Sequence, residues 1–67
     1  MTTGTKVKIL KGCGYTDITS GIDKFRRADD NTVGTITAIA PRRQVYIALD
    51  DGRKVITDMN CLLTQEG

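Results

Sequence analysis

Histidine and tryptophan are absent from this 67-residue chain, phenylalanine and proline occur once each, and cysteine occurs twice. Each scarcity excludes something. Without histidine, the usual proton shuttle near neutral pH is missing. No G-x-S-x-G, H-E-x-x-H or phosphate-loop pattern replaces it. Two cysteines are too few for the disulfide scaffold of a small secreted domain. With no imidazole beside them, they also leave the usual tetrahedral zinc set unfilled. The longest apolar stretches run to four or five residues, as in Val45 to Leu49, so no segment is long enough for a membrane helix. The start, Met1-Thr2-Thr3-Gly4, lacks a basic-then-apolar signal pattern, which makes the cytoplasm the expected compartment.

Length adds a further limit. One domain, residues 1–67, holds one small core, and such a core rarely yields more than about 3–5 kcal/mol of net stability. A cleft for a cofactor would consume most of it. The expectation is a binding module without catalytic activity, cofactor or metal. The adjacent carboxylates Asp29-Asp30 and Asp50-Asp51 fit that expectation as solvated turn residues. Neighbours on an extended chain face opposite ways and do not converge as a catalytic pair.

What is present is β-forming sequence. Lys6-Val7-Lys8-Ile9 alternates strictly, with Val7 and Ile9 on one face. Thr32 to Ala40 reads as a second strand that Pro41 stops, and Gly34 within it marks a bulge or a close backbone approach. Gln44 to Asp50 is a third, with Val45, Ile47 and Leu49 sharing a face. Asp51-Gly52 is a hairpin turn, and Arg53 to Asp58 returns as the fourth strand. A two-residue loop sets Ile47 against Ile56, and a three-residue loop with a bulge sets it against Val55. Both registers are open at this point. Met59 to Cys61 reads as a tight turn, and Leu62 to Thr64 as a short closing strand. Val7, Ile9, Ile36, Ile39, Ile47 and Leu62 are the expected core. Between the first two strands lie about twenty residues, Lys11 to Asn31, with room for one or two helical turns over Gly21 to Arg27. Ser20-x-x-Asp23, a loose match to a capping box, would open them.

Five short strands with one long first connection indicate an all-β, five-stranded barrel. The order KVKIL, long loop, VGTITAI, short basic loop, VYIALDDGR, KVIT, MNCLL resembles the SH3-like barrels. It is most similar to their KOW-type subgroup through Gly4 to Ile9, Gly34-Thr35-Ile36 and Asn60-Cys61-Leu62. The inserted first loop departs from the compact KOW motif. KVKIL and the VGT step also resemble the E subunit of photosystem I and the variable subunit of ferredoxin-thioredoxin reductase, barrels that dock on larger assemblies. The KOW resemblance implies a nucleic-acid or ribonucleoprotein partner, and the other two imply a protein complex. In an SH3-like barrel the first and last strands are neighbours. The resemblance therefore implies that Cys13 and Cys61 approach each other, either as two free thiols, as expected in a reducing compartment, or as a disulfide.

The candidate binding residues are basic and aromatic. Lys24-Phe25-Arg26-Arg27 sets three cations around a ring, Arg42-Arg43 occupies the loop after the second strand, and Tyr46 follows close by. Cations with stackable rings are the equipment for single-stranded nucleic acid. The same residues also read as a solvated charged surface around a buried Phe25. Asp23, Asp29 and Asp30 flank the first cluster, and the net charge is only +2. Two functions follow: a module binding nucleic acid or a nucleoprotein through basic loops, or a small accessory subunit docking through its barrel edge and first loop.

Overall fold

A computed structural model describes residues 2–30 and 32–65. The chain forms β1 (Lys6–Ile9), β2 (Gly14–Asp17), β3 (Lys24–Arg27), β4 (Val33–Ala40), β5 (Gln44–Leu49) and β6 (Lys54–Asp58). A 3-10 turn over Met59–Cys61 then leads to β7 (Leu62–Thr64). All seven strands lie in one antiparallel sheet of order β3-β2-β6-β5-β4-β1-β7. The sheet does not close on itself, and β3 and β7 are its two edges. No helix among the described residues is long and apolar enough to cross a membrane.

The described residues hold a single sheet and no covering helix, and such a sheet can bury a face only by curling around it. Alternation selects that face. Val7, Ile9, Tyr15, Ile36, Val45, Ile47, Leu49 and Val55 are all buried and form one cluster with Ala28. Leu62, Met59 and the two cysteines pack against its margin.

The strand count corrects the expectation of five. The segment expected to hold helical turns, Gly21 to Arg27, instead completes the tip of a hairpin and, from Lys24 to Arg27, forms its second arm. Gly14 to Asp17 pairs residue by residue with Arg27 to Lys24. The reason is visible in the first arm. Tyr15 and Asp17 alternate inward, so β2 joins β6 on one side and needs a ladder partner on the other. At the tip, Asp17 Oδ1 accepts the Thr19 N–H (2.9 Å), a local turn that takes the place of the expected cap at Ser20.

The hairpin after β5 resolves the open register. Ile47 lies opposite Val55, and Leu49 N–H donates to Arg53 C=O (2.7 Å) across a three-residue loop. Gly52 takes a φ of 97° in that loop, a conformation that only glycine adopts without cost. Ile39 departs from the expected core, with 43% of its surface exposed. β1 covers only Val33, Gly34 and Thr35 of β4, and a bulge follows between Ile36 and Ala38, so the far half of β4 has one neighbour instead of two.

Candidate functional site

Directly paired residues in an antiparallel ladder point to the same face. Following the register across the sheet gives one row on the outer face: Phe25, Thr16, Ile56, Tyr46 and Ala38. Phe25 is 69% exposed and Tyr46 37% exposed, so the two rings stand on one surface with Ile56 between them. Their strands are three spacings apart, about 14 Å along the sheet. The Phe25 ring lies over Gly14. A Cβ at that position would sit 2.2 Å from its Cζ, so the missing side chain makes room for the ring. The Arg27 guanidinium stacks 6.0 Å from the ring centroid, and its Nη1 donates to Gly12 C=O (3.1 Å).

Beside Tyr46 is a shallow apolar pocket of about 170 Å³, bordered by Ile18, Thr37, Tyr46, Ala48 and Lys54. Neither Ile18 nor Lys54 stood out in the sequence as a binding residue. Their placement depends on the hairpin register. Only the three-residue loop, with Val55 inward, turns Lys54 and Ile56 to the outer face.

Arg42 and Arg43 form the β4–β5 turn, and both have positive φ, 64° and 61°. This is the I′-type geometry, which suits the twist of a hairpin but places two Cβ atoms in a left-handed conformation. Among the described residues neither side chain makes an ion pair. The turn shares an end of the sheet with Arg27. Arg27 pairs with Gly14, whose C=O accepts from Thr57 Oγ1 (3.1 Å), and the next residues along, Asp58 and Met59, adjoin Gln44 and Arg43.

Lys24 and Arg26 lie elsewhere. As partners of Asp17 and Tyr15 they project from the opposite face of β3, so the Lys24 to Arg27 cluster is split between two faces rather than gathered around Phe25. Arg26 Nε is 3.6 Å from Asp17 Oδ2. Nearby, Arg53 Nη1 donates to Tyr15 Oη (2.9 Å) and Nε to Asp51 Oδ2 (2.8 Å). Lys6 is held by Asp50 (2.7 Å).

Asp17 carries a pH signature. The nearby Thr19 hydroxyl and the hydrogen bond from the Thr19 backbone N–H, together with Arg26 and Arg53, hold its carboxyl below the ordinary value of 3.8 against the opposing effect of burial. The Arg53 backbone N–H lowers Asp51 in the same direction. A depressed folded value stabilises the fold above the unfolded value and ceases to do so as pH falls through the folded one. Urea midpoints should therefore fall below about pH 4. The Asp17→Asn variant should be less stable at neutral pH and should show a shallower acid decline. An unchanged acid limb would remove Asp17 from that role.

Among the described residues no three His, Cys, Asp or Glu side chains gather where they could hold a metal ion. No family model, curated protein or solved structure matches the chain.

Proposed function

We propose that the chain is a non-catalytic interaction module of the SH3-like barrel type that binds nucleic acid, free or within a nucleoprotein, across the outer face of its sheet. The observation that carries this reading is the single cross-strand row that sets the exposed Phe25 and Tyr46 rings on one face. Rings on a common surface offer stacking platforms to successive unpaired bases. Arg27 beside Phe25, Lys54 beside the Tyr46 pocket, and the unpaired Arg42 and Arg43 supply phosphate contacts around them. Lys24 and Arg26 lie on the other side of β3 and serve only a strand that wraps the edge.

Fluorescence anisotropy with a labelled single strand and a labelled duplex, at two salt concentrations, tests the proposal. The single strand should bind more tightly than the duplex, with a salt slope of about 0.7 per neutralised phosphate. Replacing Arg42 by Asn and Arg43 by Gly provides a control against unfolding. Asn-Gly suits the I′ turn, so this double variant should gain about 1–2 kcal/mol in a urea melt. It should also bind every sequence more weakly and with a flatter salt slope.

A second reading, an accessory subunit on a protein complex, draws on the β2–β3 hairpin. There Ile22 is 67% exposed next to the open β3 edge. It forecasts no oligonucleotide binding even at low salt, and a protein partner lost when Ile22 is made polar.

A further inference from the structure

Two nucleophilic groups stand outside the binding face. Leu10 to Cys13 make a tight turn closed by Cys13 N–H to Leu10 C=O (3.0 Å), with Gly12 at a φ of 85°. The same Leu10 donates its N–H to Cys61 C=O (2.9 Å). One residue thus brackets both cysteines, and both side chains pack, partly buried, on the margin of the same core. Both are free thiols. β1 and β7 hold the arrangement from behind, with Ile9 paired to Leu62.

We infer that Cys13 and Cys61 form an oxidisable dithiol, a modification site that reacts with small-molecule disulfides and closes to an intramolecular cystine.

The two thiols have different tasks. Contact with the Cys13 thiol, and burial, push the Cys61 thiol above its ordinary value. Cys13 is the attacking sulfur. Its thiolate displaces one half of the small disulfide as a thiolate, leaving a mixed disulfide on Cys13. Cys61 then loses its proton and attacks the Cys13 sulfur, expelling the second half. One disulfide is consumed, one cystine forms, and two small thiols are released.

The consequence is mechanical. The bond ties the β1–β2 turn to the 3-10 turn, which is already anchored at its other end by Met59 N–H to Arg43 C=O (2.7 Å). It closes a loop spanning most of the chain, which restricts the unfolded ensemble.

The test is incubation of the native protein with oxidised glutathione. The expected product is monomeric and lighter by two hydrogens. It has no titratable thiol after denaturation, and it melts about 10–20 °C higher than the reduced form, reversibly with reductant. Cys61→Ser should trap glutathione on Cys13, whereas Cys13→Ser should acquire little. The inference is overturned by persistence of both thiols, by a stable glutathione adduct or an intermolecular dimer of the parent, or by a cystine that does not raise the melting temperature. Equal labelling of the two single variants overturns the assigned order of attack.

Discussion

Ile47→Ala should cost about 2–5 kcal/mol, comparable to the entire stability of a domain this size. Ile47 is 1% exposed and sits at the centre of the strand order, opposite Ile36 on one side and Val55 on the other. Among the described residues no helix layer or second sheet lies over the buried face, so the cavity left by the lost atoms can be filled only by a change in the curl of the sheet itself. The expected result is a chain largely unfolded at 25 °C, or one whose urea midpoint falls by more than half. A variant that melts like the parent would mean that this face is not the core.

Gly34→Ala should be costly for the opposite reason, with a loss of about 3 kcal/mol. A Cβ at Gly34 would lie 2.5 Å from Ala48 O, 2.7 Å from Ile47 Cγ2 and 2.9 Å from Leu49 Cα. Two of those atoms are backbone and cannot rotate away. The added methyl must push β4 from β5 where they flank the core. Gly14→Ala is the informative contrast. There the obstacle is the Phe25 ring, an exposed side chain that can swing aside. Urea melts should show Gly34→Ala strongly destabilised and Gly14→Ala much less so. Equal losses would overturn this account.

Four strands of the central sheet and the closing strand were legible because their buried residues alternate within a few positions of a recognisable stop. Pro41 ends β4, and Asp51-Gly52 ends β5. Gly34 signalled the close approach that the structure contains. The β2–β3 hairpin was hidden for a physical reason. β3 has no buried residue at all, and a strand with no inward face leaves no period in the sequence. β2 shows its period only through Tyr15 and Asp17, and a buried aspartate does not read as core. The candidate site was legible to the level of residue type. Phe25 and Tyr46 do share a face, but that depends on registers through β2 and β6, and one of them hung on whether a turn held two residues or three. The split of Lys24 and Arg26 from Arg27 follows from the same hairpin and was hidden with it.

The two edges of the sheet bear on solubility. An open strand is a template on which another copy of the chain can add, and repeated addition leads to fibres. β3 presents Lys24, Arg26 and Arg27 in a run of four, so a second β3 brought alongside would set cation against cation on both faces. β7, with Leu62-Leu63-Thr64, has no charge to offer, but it spans three residues and stops. One end of the sheet repels its own kind and the other is too short to hold it. The cations along β3 thus oppose the growth of an unclosed sheet.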